Sequence, residues 1–447
     1  MSDVLLVSPN TYSEPYPVYP LGMASMAAAL RAHGHRVGQF DLFEAKGSTK
    51  ELLDTICSFQ PHVIGISIRN IDTTDSTDAE KWSLDRDRTL IRAVRGITPA
   101  PIVLGGPAFS IMPEAMLDYL GADHGVAGEG EDSFPALIED IEAGTAKGGI
   151  YRMGDGSFAD PERNHPLWQG GLVSSYVNRG GVIGVQTKRG CMHSCAYCPY
   201  PAIEGGNLRC KDPGSVADEV ERLAMDFGVR FIFFTDSIFN EPQSNYLSIA
   251  EELIQRDIRV EWSAFFRPQA ISREEILLLK RSGLSAIEVG TDAASDIALS
   301  GLNKGFGFSD AIAFNDACAR EKIPCIHYVM FGCPGESMET VAEGLDNIGR
   351  LTGCIVLAFS GIRVLPGTPL HGKAIADGVL SCDNELLKPA FYYSPEIDTP
   401  LMNQKIGESF GGRRDRLFPP SRANARLRVL NTFGFRGFLW TKLLSGQ

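Results

Sequence analysis

Three cysteines lie within eight residues of the chain, Cys191-Met-His-Ser-Cys195-Ala-Tyr-Cys198. They follow an apolar run at 181–186 that predicts a β-strand. Three thiolates from one tight loop match three corners of a [4Fe–4S] cube, which usually takes four cysteines. No fourth cysteine follows at ligand spacing, so the pattern predicts a redox cluster whose last iron is open to another ligand.

A structural zinc site is the alternative for this loop. Its fourth ligand would be Cys210 or His193. Zinc knuckles more often pair cysteines two residues apart, so the three-then-two spacing favours the cluster.

The spacing, with the aromatic Tyr197 before the last cysteine, resembles the signature of the radical S-adenosylmethionine (SAM) superfamily. The resemblance implies that Cys191, Cys195 and Cys198 hold the cluster. It also implies that the open iron chelates the amino and carboxylate groups of SAM. An electron from the cluster then splits the sulfonium and releases a 5′-deoxyadenosyl radical.

Length and composition set the broad class. A chain of 447 residues suggests two or three domains. A net charge of −13 argues against general nucleic-acid binding. Ten cysteines fit a reducing cytoplasm better than a disulfide framework, and the first residues show no secretory signal. No apolar stretch approaches the ~20 residues that span a bilayer, so we expect a cytoplasmic protein.

Predicted strands and helices alternate over residues 1–147, as in βαβ units. Five strands are predicted, at 4–7, 37–41, 63–68, 101–104 and 125–127. This pattern predicts a doubly wound, Rossmann-like domain. Such sheets bind ligands at the carboxyl ends of their strands.

Residues 148–178 are rich in Gly, Asp, Asn and Pro and are predicted to form a linker. Alternation resumes over 179–380, with predicted strands at 182–186, 231–236, 260–266, 286–291, 325–331 and 355–363. Six such units predict a partial (β/α)6 TIM barrel, whose catalytic end is the carboxyl end of the strands. The cysteine loop follows the first of these strands, at that end. The whole chain is thus predicted to be α/β, with a small C-terminal segment at 381–447.

A set of short motifs precedes the cysteine loop: Pro20-Leu-Gly22, Gly34-His35, Gly65-Ile-Ser67, Gly105-Gly106 and Gly128-Glu-Gly-Glu131. In this order they resemble the cobalamin-binding radical SAM enzymes, the group that includes bacteriochlorophyll cyclase and hopanoid methylases. The resemblance implies cobalamin contacts from Ser67, Arg69, Asn70, Gly105, Gly106, Glu129 and Gly130. For Arg69, Asn70 and Asp72, a polar loop with no ligand is the alternative.

One motif departs from the pattern of classical methylcobalamin domains, which present Asp-x-His-x-x-Gly with a His below cobalt. The stretch taken to correspond is Asp41-Leu-Phe-Glu-Ala-Lys-Gly47, with Phe43 in place of His and Lys46 in place of Gly. The lower axial ligand of cobalt therefore stays open.

Polar residues and glycines near the ends of the barrel strands are the candidates for SAM contacts. They are Asp236, Arg267, Glu288, Asp292, Gly335 and Arg363, together with Tyr197. Asp292 replaces the Glu of the family's Gly-x-Glu-Ser-Gly pattern, and the loop at 332–336 resembles the glycine-rich loop beside the adenine. Asp236 and Arg363 are favoured, although a salt bridge or turn explains each residue equally well. Cys333 is expected to be a buried packing residue rather than a nucleophile.

The last 38 residues, from Phe410, carry eight basic residues and one acidic residue. Their charge of +7 leaves −20 for the rest of the chain. Aromatic and apolar residues alternate with these charges toward the end. Such a tail fits an anionic membrane surface, a cap on the barrel or a carrier-protein contact.

The resemblance implies a cobalamin-dependent methyltransferase that acts on an unactivated carbon of a natural-product or lipid-like substrate. It also implies SAM, cobalamin as methylcobalamin, and an electron donor such as flavodoxin or ferredoxin. A rearrangement or cyclisation enzyme with the same cofactors is one alternative. A cobalamin-binding carrier or regulator is another, which the three intact cysteines disfavour.

Overall fold

The computed structural model describes residues 1–14, 16–78, 82–152 and 165–444. Two parallel sheets flanked by helices dominate these residues, which confirms the predicted α/β class. Within them, no helix combines the length and apolar character needed to cross a bilayer. The division at residues 147, 178 and 380 stays a prediction.

The first sheet has six parallel strands in the order β2-β1-β3-β4-β5-β6. Its strands are β1 (Asp3–Ser8), β2 (Arg36–Asp41), β3 (Val63–Ser67), β4 (Ile102–Gly105), β5 (His124–Ala127) and β6 (Gly149–Arg152). Its helices are α1 (Leu21–Ala32), α2 (Thr49–Phe59), α3 (Leu84–Arg95), α4 (Pro107–Ile111), α5 (Pro113–Leu120) and α6 (Ser133–Ala143). Val4–Val7 is buried on both faces, as expected for a strand covered by helices on each side.

The predicted linker contains regular structure that its composition did not reveal. Strand β6 lies at its start and pairs in parallel with β5, and helix α7 (Gly170–Arg179) lies at its end. Residues 153–164 of this stretch lie outside the described residues. Gly149 and Arg152 flank only two apolar residues, too few to show a strand period.

The second sheet has seven parallel strands in the order β17-β14-β13-β12-β11-β10-β7. The six predicted barrel strands are present as β7 (Val182–Val185), β10 (Phe231–Phe234), β11 (Glu261–Phe266), β12 (Leu284–Asp292), β13 (Cys325–Phe331) and β14 (Ile355–Ser360). Two-residue strands β8 (Lys188–Arg189) and β9 (Arg209–Cys210) pair with each other, as do β15 (Ile362–Arg363) and β16 (Phe391–Tyr392). The helices here are α8 (Tyr200–Glu204), α9 (Pro213–Phe227), α10 (Asn245–Gln255), α11 (Arg273–Arg281), α12 (Asp296–Gly301), α13 (Phe308–Arg320), α14 (Met338–Arg350) and α15 (Pro369–Ala376).

The C-terminal segment packs against the barrel. It contributes α16 (Thr399–Phe410), β17 (Arg416–Leu417), α17 (Pro420–Thr432) and α18 (Trp440–Leu444). Phe438, Leu439 and Trp440 are buried, and the latter two pack with Ala286, Ile326 and Leu357 of the barrel strands. Of the three roles considered for the tail, the structure therefore shows the cap. Contact with a membrane or a carrier protein stays a prediction.

The alternation of side chains along the strands separates the two faces of the second sheet. Trp262, Ala264 and Phe266 of β11 belong to the main core with the helices. Phe265 lies between them in sequence and therefore points to the opposite face, the interior of the barrel. Tyr16, from the segment after β1, packs there with Val182 and Phe438. The N-terminal and C-terminal parts of the chain thus both contribute to the barrel interior.

Candidate active site

The cysteine loop begins just after β8, at the carboxyl end of the barrel strands. The thiols of Cys191, Cys195 and Cys198 are all free and half-buried. The Cys191 N–H donates to the Gly205 carbonyl at 3.1 Å, and the Cys198 N–H to the Cys195 carbonyl at 3.1 Å. Backbone hydrogen bonds thus fix both ends of the loop.

The turn after α12 holds the middle of the loop. The Ala196 N–H donates to the Leu302 carbonyl at 2.9 Å. Asn303 Nδ2 donates to the Ser194 carbonyl at 2.8 Å and to Ser194 Oγ at 2.9 Å. The loop is therefore shaped by a segment more than 100 residues later in the chain.

The three thiols influence one another. Burial, together with the neighbouring Cys195 and Cys191, raises the pKa of Cys198 to about 12. Metal ligation requires thiolates, and the cations of Lys304 and Arg267 lie beside the loop to stabilise them. Among the described residues, no group of three or more His, Cys, Asp or Glu side chains is arranged to hold a single ion. A cubane cluster makes a different demand, because each cysteine binds a different iron. These three thiols in a cationic setting fit it.

Cys210, the proposed fourth zinc ligand, has other neighbours. It pairs with Lys188 in the β8–β9 ladder. The charged groups that act on its thiol are Lys188, Glu241 and Asp236, and none of the loop cysteines is among them. The zinc alternative with Cys210 therefore finds no support in this arrangement.

Lys304 connects the cysteine loop to the end of β12. Its ammonium lies 3.6 Å from Cys195 Sγ and forms a short ion pair with Asp292, whose Oδ2 also accepts a 2.6 Å hydrogen bond from the Tyr197 hydroxyl. Burial opposes its charge, but Asp292 and Cys195 together raise the pKa of Lys304 above its usual value. Asp292 adopts a left-handed φ of 65° at a register shift between β12 and β13, a strained conformation for this residue type.

Three residues of this group, Tyr197, Asp292 and Arg267, were predicted as SAM contacts, and Lys304 was missed. Tyr197 and Asp292 lie together as expected, and Arg267 joins them by donating to the Lys304 carbonyl and stacking on Phe306 at 4.8 Å. Their role toward SAM stays a prediction. Lys304 gave no sequence signal, because a lysine between Asn303 and Gly305 is typical of an exposed turn.

Replacing Lys304 with methionine is expected to lower the reduction potential of the cluster by about 60–130 mV. Hydrogen bonds to charged groups contribute about 1.5–3 kcal/mol, and about 59 mV is a tenfold change for one electron. Loss of the ammonium beside Cys195 disfavours the more negative, reduced cluster. A redox titration followed by electron paramagnetic resonance measures the shift. Lys211→Met, which breaks the buried Lys211–Glu219 pair elsewhere, is the control, and an equal potential in both variants contradicts the assignment.

Asp236 has both carboxylate oxygens engaged by the protein. Oδ1 accepts the N–H groups of Thr187 at 2.8 Å and Lys188 at 3.1 Å, and Oδ2 accepts the Thr187 hydroxyl at 2.5 Å. The side chain is 1% exposed. Lys188 in turn pairs with Glu241 at 2.7 Å. Asp236 thus holds the backbone at the start of β8, and its SAM contact favoured from sequence stays a prediction.

Arg363 is also occupied by protein partners. Its Nε donates to Asp72 Oδ2 at 2.7 Å, and its two terminal nitrogens donate to the carbonyls of Val364 at 2.6 Å and Leu386 at 2.8 Å. The side chains of both ions are 4% exposed. Arg363 therefore joins the barrel to the loop after β3, and the ligand contacts expected of Arg363 and Asp72 stay predictions.

The loop after β13 is built around a buried carboxyl group. Glu336 Oε2 accepts the N–H groups of Gly332 and Cys333, both at 2.7 Å. Burial raises the pKa of Glu336 to about 7. Cys333 is fully buried, as expected for a packing residue. Gly335 has a φ of 81°, which favours glycine, and its contact with SAM stays a prediction.

The Gly128–Glu131 turn of the first domain meets the cysteine-loop hairpin of the barrel. Glu129 pairs with Arg189 at 3.3 Å and accepts a 3.0 Å hydrogen bond from Arg209. Glu131 pairs with Arg189 at 2.6 Å. Glu129, expected at cobalamin, thus forms part of an interdomain ion cluster. At Gly130, a Cβ would lie 2.5 Å from Met26 Cε, so its glycine relieves packing.

The remaining expected cobalamin contacts lie at the carboxyl ends of β3 and β4. At Gly106, a Cβ would lie 2.7 Å from the Ile68 carbonyl and 2.9 Å from Ser67 Oγ, so this glycine permits close approach of the two strand ends. Gly105 pairs with Ser67 in the sheet. The Asn70 backbone carbonyl accepts a 3.1 Å hydrogen bond from the Ser83 hydroxyl. Contacts of Ser67, Asn70, Gly105 and Gly106 with cobalamin stay predictions.

The loop at Asp41–Gly47 packs on α7. The Phe43 ring lies 5.4 Å from the Tyr176 ring and 4.8 Å below the Arg179 guanidinium. Asp41 accepts a 3.2 Å hydrogen bond from the Tyr176 hydroxyl. Phe43 therefore has a packing role between Tyr176 and Arg179. The lower ligand of cobalt stays unassigned.

A central chamber lies between the two domains. Arg69 keeps solvent contact, yet surrounding protein lowers its pKa, and its ionisable neighbours are Tyr200, Tyr16 and Tyr176. Tyr200 is 40% exposed and interacts with Cys198, while Tyr16 interacts with Glu288. We use the term central chamber for the open space that the exposed side chains of Arg69 and Tyr200 border, beside the loop after β3 and the cysteine loop.

The two described surface clefts lie away from this chamber. One, of about 530 Å³, is lined by Arg230, Asp257 and Arg281. The other, of about 670 Å³, is lined by Phe43, Lys46, Arg86 and Arg179. Neither includes the cysteine loop.

Comparison with known proteins agrees with this geometry. A B12 binding domain model matches residues 11–138, and a radical SAM superfamily model matches residues 185–348. Tryptophan 2-C-methyltransferase from Streptomyces laurentii is 25% identical, covering 85% of this chain and 75% of that protein. An anaerobic magnesium-protoporphyrin IX monomethyl ester cyclase from Rubrivivax gelatinosus is 26% identical, covering 67% of this chain and 57% of that protein.

A solved structure shares the fold along the whole chain. The radical S-adenosylmethionine methyltransferase TsrM from Kitasatospora setae, with cobalamin and a [4Fe-4S] cluster bound, superposes with a TM-score of 0.84. It is 24% identical and covers 99% of this chain and 97% of its own. The two domain models match the chain in the same order as the two sheets, and the three-cysteine loop lies within the second model. The chain thus carries a B12 binding domain followed by a radical SAM domain, the combination that defines cobalamin-binding radical SAM enzymes.

Proposed function

We propose that the protein is a cobalamin-dependent radical SAM methyltransferase that acts on an unactivated carbon of a small molecule. The interdomain ion pairs carry this proposal, because Arg189, just before the cysteine loop, pairs with Glu129 and Glu131 of the B12-binding domain and brings the two cofactor-binding regions together. When bound, the cluster supplies the electron that cleaves SAM, and cobalamin carries the methyl group. Methyltransferases among the relatives support this choice.

The chain's own residues perform the positioning. Cys191, Cys195 and Cys198 hold the cluster, and Lys304 orients the Cys195 thiolate. The ion pairs of Glu129 and Glu131 with the hairpin arginines hold the two domains face to face. An electron donor such as flavodoxin or ferredoxin and a cytoplasmic location belong to the same proposal.

The test uses anaerobically reconstituted protein, a chemical reductant and SAM labelled in its methyl group. We expect S-adenosylhomocysteine that forms only when cobalamin is bound, together with 5′-deoxyadenosine, both measured by mass spectrometry. With L-tryptophan supplied as the first candidate substrate, we expect a mass gain of one labelled methyl group. Tryptophan is chosen because a relative bears that substrate in its name.

The other outcomes separate the alternatives. Formation of 5′-deoxyadenosine without cobalamin-dependent S-adenosylhomocysteine points to a rearrangement or cyclisation enzyme. Bound cobalamin without any cleavage of SAM points to a carrier or regulator. Either result overturns the methyltransferase proposal.

A further inference from the structure

Five neighbouring strands each direct one large side chain to the barrel interior. They are Phe233 on β10, Phe265 on β11, Glu288 on β12, Tyr328 on β13 and Phe359 on β14. We call the four aromatic residues the aromatic belt. Their ring centroids are separated by 5.4 Å for Phe233–Phe265, 6.0 Å for Phe265–Tyr328 and 6.5 Å for Tyr328–Phe359. All four rings remain partly exposed. Tyr328 and Phe359 also pack against the cluster that contains Trp440, and Phe233 packs against the cluster that contains Tyr16.

Glu288 is the one carboxyl group in this row. It stands beside Phe265 in the register of β11 and β12, and its Oε2 accepts a 2.7 Å hydrogen bond from the Tyr328 hydroxyl. Its Oε1 accepts no hydrogen bond from any described residue. Burial raises the pKa of Glu288 to about 7, so a large fraction is ionised at neutral pH. Oε1 keeps accessible surface although the residue is 4% exposed, so this oxygen is open to a ligand that donates a hydrogen bond.

The position of Glu288 separates it from the cysteine loop. Asp292, four residues later and beyond the register shift of β12, contacts Lys304. Glu288 precedes that shift in the strand, so it lies deeper in the barrel than the group beside the cluster. Tyr16 packs against Phe233 of the belt, and both Glu288 and Arg69 influence the pKa of Tyr16, which burial raises. Tyr16 therefore lies between the belt and the loop after β3.

We infer that the aromatic belt and Glu288 form the substrate site, and that the substrate carries a flat aromatic or heteroaromatic ring with an N–H group donating to Glu288 Oε1. The inference rests on the proposed function, because it assigns the molecule that receives the methyl group. A pair of packed aromatic rings contributes more binding free energy than its buried area alone would give. The ionised Glu288 carboxylate can only accept hydrogen bonds, so it selects strongly against analogues that lack the N–H group. Glu288, expected from sequence to contact SAM, is thereby reassigned to substrate recognition.

The probes are indole and 1-methylindole, which share a ring but differ in the N–H group. Binding is measured by isothermal titration calorimetry on protein that carries its cluster and cobalamin. We expect indole to bind with a Kd of about 1 mM or lower. We expect 1-methylindole to bind at least about 10-fold more weakly, since it leaves the carboxylate oxygen unpaired.

Glu288→Gln tests the carboxylate. Tyr328 retains the amide oxygen as its acceptor, so the amide nitrogen faces the chamber and the free acceptor is lost. We expect the preference for indole to fall below about two-fold. Asp377→Asn is the matched control, because Asp377 also accepts a 2.7 Å tyrosine hydrogen bond, from Tyr392, outside the belt. It should keep the full preference. Phe265→Leu should weaken both probes alike.

Three results overturn the inference: equal binding of the two probes, binding of neither at about 10 mM, or an unchanged preference in Glu288→Gln. SAM cleavage plays no part in these measurements. Failure here therefore leaves the methyltransferase assay interpretable, and failure of that assay leaves the binding result interpretable.

Discussion

Replacing Cys195 with alanine is expected to reduce bound iron from about four atoms per chain to less than one and to abolish SAM cleavage. Two remaining thiolates cannot hold a cube that already has an open corner. Lys304 then lacks the thiolate partner 3.6 Å away and keeps only Asp292. Cobalamin binding should persist, because the sheet that carries its family motifs is formed by β1–β6. Iron is measured colorimetrically, and cobalamin by its visible absorption.

Cys210→Ala is the matched control for this variant. Cys210 is also half-buried and near the loop in sequence, but its thiol interacts with Lys188, Glu241 and Asp236. It should retain full iron content and full SAM cleavage. Iron that survives in Cys195→Ala, or a purified protein whose loop holds zinc that is lost in Cys210→Ala, contradicts the cluster assignment.

Local sequence was sufficient to predict the cysteine loop as a cluster site, because its three cysteines lie within eight residues. It was also sufficient for the six barrel strands, whose apolar runs are buried. It was insufficient for Lys304, which reaches Cys195 from a turn 109 residues later. Nothing in an Asn-Lys-Gly turn indicates that its lysine is buried. Such contacts depend on the tertiary packing of α12 against the loop.

The strand-end charges show a second limit. Asp236 and Arg363 stand where catalytic residues of barrels usually stand, and sequence alone favoured them. In the structure both are saturated by protein partners, Asp236 by backbone N–H groups and Arg363 by Asp72 and two carbonyls. From sequence alone, a charged residue at a strand end is equally consistent with a ligand contact and with an ion pair inside the protein. Only the hydrogen bonds in the folded protein distinguish a positioning residue from a residue with an atom left free for a ligand, such as Glu288.

Replacing Arg363 with alanine is expected to lower the free energy of unfolding by about 3–5 kcal/mol, since removing one partner leaves a buried charge uncompensated. Asp72 loses its 2.7 Å partner, and the Leu386 carbonyl loses its donor. Arg363→Lys should recover part of the loss, because an ammonium can meet Asp72 but cannot also span the carbonyls. Urea unfolding of the cobalamin-loaded protein, followed by circular dichroism, measures the change.

Arg152→Ala is the control for this loss. Arg152 pairs with Glu114 at 2.8 Å, but both side chains are more than half exposed, so we expect a change below about 1 kcal/mol. The contrast isolates burial as the cause, because the two ion pairs have nearly equal lengths. Asp72 also lies three residues after Arg69, so loss of Arg363 should loosen the loop that faces the central chamber and weaken cobalamin binding. Equal destabilisation by Arg363→Ala and Arg152→Ala, with cobalamin affinity unchanged, would show that this ion pair does not hold the domains together.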